Sequence, residues 1–266
     1  MCALILVLSG FASCAGAPKN GEPRFTQRHY TYSVLLVPER LGNSPQLDVA
    51  FSLLRMDYPE ELAPALHETL YGEIGLDAYK DFVLSEQRKN YRNRAADMPA
   101  GGGNTANFNW RYAERFSVKH IFERGLVIER DLETYYGGAN AGIITRYYNI
   151  EFGVDGFRQV SFDDLFDDYQ DDQRLREIVY NELREYSNLD SNQPLSRGIY
   201  YSNEPEMTFN FFITEEGLGL HWDPAQIAPY SHGRIQIILP WYSLSSMILY
   251  EGIQMLSHKF GIHIFE

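Results

Sequence analysis

Strand-type runs in this chain come bunched, with helical stretches grouped between them, and that order admits few architectures. Tyr30-Thr31-Tyr32-Ser33-Val34-Leu35 has the β-branched and aromatic composition of a strand, expected over residues 25–37. A second strand is expected over 47–56, between Asn43-Ser44-Pro45 and Pro59. Residues 60–88 then turn helical. Leu62, Leu66 and Leu70 stand four apart, and Pro64 falls where only an early helical turn accepts it. A second helix is expected over 77–90, with Tyr79, Phe82 and Val83 on one face. Met98 to Asn104, with three consecutive glycines, reads as a flexible loop, since no Lys-Ser/Thr follows to make a phosphate cradle.

Two strands over 108–121 and 126–136 should form a hairpin around Glu123-Arg124-Gly125, and another strand covers 145–152. Residues 172–186 form an amphipathic helix whose apolar set is Leu175, Ile178, Val179, Leu183 and Tyr186. The last strands are expected over 207–213, 219–222 and 234–239, and Pro240-Trp241 opens a C-terminal segment of helical character. There is no internal repeat. Runs of strands interrupted by grouped helices give an α+β fold rather than a regular βαβ alternation.

The first fourteen residues read differently. Apolar residues from Ala3 to Leu8, followed by small ones, have the form of a secretory leader and its cleavage site. The run is shorter than the roughly 18–20 residues of a spanning helix, and no second long apolar run follows. Phe11-Ala12-Ser13-Cys14 resembles a bacterial lipobox, which makes Cys14 the expected lipidation site and 1–14 a lipoprotein-type signal peptide. Leu is more usual where Phe11 stands. No Lys or Arg precedes the apolar run, compatible with a start upstream of Met1. Residues 15–24, with two prolines and two glycines, read as a tether. Cys2 and Cys14 are the two cysteines of the chain, so residues 15–266 hold no disulfide, thiolate metal site or cysteine nucleophile.

Charge narrows the partners. With 23 Lys+Arg against 36 Asp+Glu the formal net charge is −13, which argues against nucleic acid and favours neutral or basic partners. The acidic run Asp163, Asp164, Asp167, Asp168, Asp171 and Asp172 fails the EF-hand pattern, because neither Asp163 nor Asp167 as first ligand puts Gly sixth and Glu twelfth. It reads instead as helix-start electrostatics, with Ser161 and Asp164 forming a capping box. Phe162-Asp163-Asp164 resembles the metal-binding motif of polysaccharide deacetylases, but no two of the seven histidines stand four apart to complete a zinc site. No Gly-x-Ser-x-Gly elbow is present. No metal or cofactor is expected. Aromatic and glycine clusters at strand ends are the candidate contacts: Tyr135, Tyr136 and Asn140 in Tyr135-Tyr136-Gly137-Gly138-Ala139-Asn140, Trp222 in His221-Trp222-Asp223-Pro224, and Tyr230 in Ala228-Pro229-Tyr230. Tyr and Trp on loops give large contact area at small entropic cost.

Three segments together resemble a known bacterial extracytoplasmic family. They are Tyr135-Tyr136-Gly137-Gly138-Ala139, then Val160-Ser161-Phe162-Asp163-Asp164-Leu165-Phe166, then Phe211 to Leu218 with Ile227-Ala228-Pro229-Tyr230. The family is the lysozyme-receptor domain of RsiV-type anti-sigma factors, shared with the non-catalytic region of PdaC-type peptidoglycan deacetylases. The family's Gly-Gly-Ala is usually followed by His-Gly, where Asn140-Ala141 stand here. The resemblance implies antiparallel sheets with helices packed on them in two subdomains, PdaC-like over 25–140 and RsiV-like over 141–266. It also implies a stand-alone lipoprotein of the cell envelope, periplasmic or at the cell surface. Such a protein would bind or sense a lysozyme-like basic protein or a peptidoglycan fragment without catalysis. The alternatives are an enzyme of envelope glycans using a carboxylate pair, and a passive structural lipoprotein.

Overall fold

The computed structural model describes residues 23–36, 45–96, 109–137, 139–153, 156–170 and 172–264. The leader over 1–14, Cys14, the tether up to residue 22 and the loop 98–104 lie outside the described residues. The architecture is mixed α+β, as its strand and helix order predicts. Strands β1 (Arg24–Leu35) and β2 (Gln46–Tyr58) are followed by helices α1 (Ala63–Tyr71) and α2 (Gly75–Ala96). Then come β3 (Trp110–Ile121), β4 (Gly125–Tyr135), β5 (Gly142–Gly153) and β6 (Gly156–Val160). Helix α3 (Gln173–Tyr186) precedes β7 (Phe211–Ile213), β8 (Gly217–Trp222) and β9 (Ile235–Pro240), and α4 (Trp241–Leu244) and α5 (Tyr250–Phe260) close the chain.

Strands β1 to β6 form one sheet in sequence order, and β7-β8-β9 a second. One pairing departs from the antiparallel expectation: β2 and β3 run parallel, Leu47 opposite Trp110 and Ser52 opposite Arg115. The cause is the connection. Parallel neighbours need a long crossover, and α1 and α2 supply it. Strand β6 is an addition to the strands expected from the sequence; its Gly-Phe-Arg-Gln-Val pairs antiparallel with β5 but carries little apolar alternation.

The chain divides into two compact units, one of Met1–Ser117 with Arg130–Ile144, the other of Val118–Glu129 with Thr145–Glu266. In the first, Leu47, Val49, Phe51 and Leu53 of β2 are all buried. Tyr71 of α1 sits against this strand, its Oη 2.7 Å from both the amide and the carbonyl of Leu54. On α2 the buried face is Leu76, Tyr79, Val83 and Tyr91, at helical spacing, with Gln87 between. Phe82, expected on that face, is 46% exposed, because it stands only one position from Val83 and so about 100° around the helix. A buried carboxylate completes this core: Glu114 accepts from Tyr79 (2.9 Å), Tyr112 (2.9 Å) and Arg130 Nε (2.6 Å).

In the second unit, Leu175, Val179 and Leu183 of α3 are wholly buried with Leu218, Leu239, Leu244 and Leu256. Tyr186, expected on the same stripe, is 44% exposed at the last turn of the helix. The acidic run works as helix-start chemistry. Asp164 accepts from the Ser161 amide and hydroxyl, both at 2.7 Å. Asp172 caps α3 by accepting from the amides of Arg174 (2.7 Å) and Leu175 (3.2 Å). Asp171 lies outside the described residues.

Candidate functional site

Strands β8 and β9 pair up to Trp222 opposite Ile235, and residues 223–234 between them form a loop far longer than the usual hairpin connection of about two to five residues. Long loops held by a rigid scaffold are where binding residues concentrate. This one is braced at its first residue. Asp223 Oδ1 accepts from the Thr145 amide of β5 at 2.7 Å and lies 3.0 Å from His221 Nε2, and its Oδ2 is 3.2 Å from Arg146 Nη1. Burial acts to raise the Asp223 carboxyl, yet the hydrogen bonds from His221 and the Thr145 amide, with the charge of Arg146, hold it below the ordinary carboxylate value. The Asp223 amide in turn donates to Gln226 Oε1 at 2.6 Å, and the Gln226 amide to the Asp223 carbonyl at 3.2 Å.

Beyond that turn, Ile227 and Ala228 plug into the core, 4% and 3% exposed, and the Ile227 carbonyl accepts from the Tyr201 amide at 3.0 Å. With these two residues pinned, Pro229, Ser231 and His232 are exposed and Tyr230 half-exposed on a 3-10 turn. Gly233 closes the turn at φ +70°, a backbone that favours glycine. The loop is thus tied at its start and in its middle, and its tip faces solvent.

Behind the brace runs a buried polar chain. His221 has no exposed surface. Its Nδ1 is 3.0 Å from the Gln236 amide nitrogen, which also donates to Tyr147 Oη at 2.5 Å. Tyr147 donates to Glu129 at 2.8 Å, and Glu129 pairs with Lys119 at 3.0 Å. An amide nitrogen only donates, so His221 Nδ1 accepts and the ring proton resides on Nε2, facing Asp223. Both ring nitrogens are occupied, so the His–Asp pair holds the loop and has no free nitrogen to offer a substrate. Among the described residues no group of three His, Cys, Asp or Glu converges as a metal site.

The anticipated contact residues are distributed over both units. Tyr135, Tyr136 and Asn140 belong to the first and Trp222 and Tyr230 to the second. Trp222 is 2% exposed, its indole donating to the Glu206 carbonyl at 2.8 Å, so it is a core residue. Tyr136 packs its ring 4.5 Å from that of Trp110 and donates to Gln87 at 2.9 Å. Tyr135 is half-buried, and Asn140 is exposed. Sequence reasoning missed the brace of Thr145, Arg146, His221, Asp223 and Gln226. Its one available signal was Asp223-Pro224 at a strand end, where Asp favours turn initiation.

Residues 163–242, which contain α3, β7, β8, this loop and β9, match the model of a family described as a protein of unknown function, DUF3298. No curated protein matches the chain. Among solved structures, it is similar to a DUF3298 family member from Bacteroides fragilis NCTC 9343. The two share 20% identity and a TM-score of 0.67, over 88% of this chain and 97% of the other. A DUF3298 family protein from Pseudomonas aeruginosa PAO1 is similar at 15% identity and a TM-score of 0.56, over 86% and 96%. At these identities the likeness is one of fold, and the α+β fold of this chain is that of its DUF3298 neighbours.

Proposed function

We propose that this chain is an exported, lipid-anchored envelope protein that works as a non-catalytic binding module. Its ligand is a lysozyme-like basic protein or, failing that, a peptidoglycan fragment. The observation that carries the reading is the loop 223–234, braced through Asp223 and pinned by Ile227 and Ala228, with Pro229 to His232 at its tip. A loop ordered before binding loses little entropy on complex formation. The net charge of −13 supports a basic partner through electrostatic steering. Phe11-Ala12-Ser13-Cys14 supports the anchor, and the RsiV-type and PdaC-type resemblance supports the ligand class. Tyr230 is the contact retained from the sequence on this loop, and Asn140 is a separate exposed candidate.

Calorimetric titration of the protein with a lysozyme, at low and then at physiological salt, tests the reading. Saturable one-to-one binding that survives physiological salt is the expected result, weakened by Tyr230→Ala with folding unchanged. Heat at low salt alone would be charge attraction and would refute a specific interaction.

A further inference from the structure

A second concave surface in the same unit carries two exposed carboxylates. The hairpin between β7 and β8 turns through Glu215-Glu216, and Thr214 locks it. The Thr214 amide donates to the Gly217 carbonyl at 3.0 Å, the Thr214 hydroxyl to the same oxygen at 2.8 Å, and the Gly217 amide back to that hydroxyl at 3.0 Å. Gly217 is required here, since a Cβ would stand 2.2 Å from the Leu239 carbonyl oxygen. Both glutamates are exposed, and neither carboxylate has a hydrogen bond or ion pair among the described residues.

The turn is clamped to an aromatic wall. The Trp241 indole donates to the Thr214 carbonyl at 3.0 Å, and the Trp241 amide to the Glu216 carbonyl at 3.4 Å. Between them opens a cavity of about 350 Å³, lined by Glu215, Glu216, Trp241, Tyr242, Phe260 and His263 among others. Tyr242 is 77% exposed at its rim, with nothing packed over most of its ring. The carboxylates' field extends to His120 on β3, although burial first and Lys119 second outweigh it and lower that imidazole.

Unpaired negative charge beside an aromatic face in a concave site is the chemistry that takes an alkylammonium or guanidinium group. The carboxylates supply the charge, the ring the cation–π contact, and Phe260 and Trp241 the apolar bed for the methylene stem. We infer that this pocket receives a lysyl or arginyl side chain of the protein partner. It rests on the binding-module reading for the source of that side chain, and it gives the partner a second point of attachment besides the loop 223–234.

Two arms test it on the full chain. In the first, Nα-acetyl-lysine methylamide is titrated and the Trp241 indole and Gly217 amide resonances are followed, with the norleucine analogue as uncharged control. Saturable shifts with the lysine probe alone, abolished in the exposed double variant Glu215→Gln/Glu216→Gln and weakened in Tyr242→Ala, are expected. Equal shifts with norleucine, shifts that persist in the double variant, or none at all would overturn the site. In the second arm a lysozyme is titrated. The double variant should weaken its binding by roughly tenfold, and unchanged affinity would remove the pocket from the interface. A lysozyme that never binds the parent protein refutes the binding-module reading, while the lysine arm still decides the pocket.

Discussion

Asp223 is the residue on which the candidate loop depends, and its chemistry fixes the sign of a pH effect. Its carboxyl lies below the ordinary value in the folded protein, so it contributes stability that is complete above the unfolded value of about 3.9 and is lost as pH falls through the folded value. Asp223→Asn should therefore cost about 2 kcal/mol at pH 7, measured by urea denaturation. The gap from the parent should narrow as pH falls below the unfolded value of about 3.9, and a gap of constant size would contradict the assignment. Apart from Asp223-Pro224 as a turn signal, this is not legible in the sequence. His221 and Asp223 stand two apart in the chain, but Thr145 reaches them only when β5 meets β8, and such a junction leaves no local periodicity to read. Trp222 misled for a related reason: an aromatic at a strand end can be contact or core, and only burial separates the two.

Among the elements, a narrow apolar stripe marks a helix's buried face faithfully. The buried set Leu175, Val179 and Leu183 of α3 follows the 3.6-residue period. The errors, Phe82 and Tyr186, are aromatics flanking such a stripe, where size suggested burial and angle forbade it. Leu183→Ala should cost about 2–5 kcal/mol, whereas Tyr186→Ala should stay within about 0.5 kcal/mol of the parent. Thermal denaturation of both checks this, and equal losses would show that the face is drawn wrongly. Strands separate in the same way through their glycines. A Cβ at Gly217 meets backbone at 2.2 Å, while one at Gly153 meets the mobile end of Lys259 at 2.9 Å. Gly217→Ala should thus cost about 1–3 kcal/mol and Gly153→Ala very little, by the same measurement. The parallel β2–β3 pair escaped the sequence because direction is set by the crossover and not by the strands' own composition.

For the whole molecule, grouping of strands and helices was enough to give the α+β class, since each layer must find another to cover its apolar face. What composition could add about function was limited to sign: an acidic protein attracts basic partners. The proposed binding face is the braced loop 223–234, and hydrogen-exchange mapping puts it to the test. The full chain is compared free and saturated with a lysozyme, peptide by peptide. Residues 225–234 should already exchange slowly for an exposed loop when free, and gain further protection in the complex. Fast exchange there in the free protein, or protection that appears only elsewhere, would contradict it.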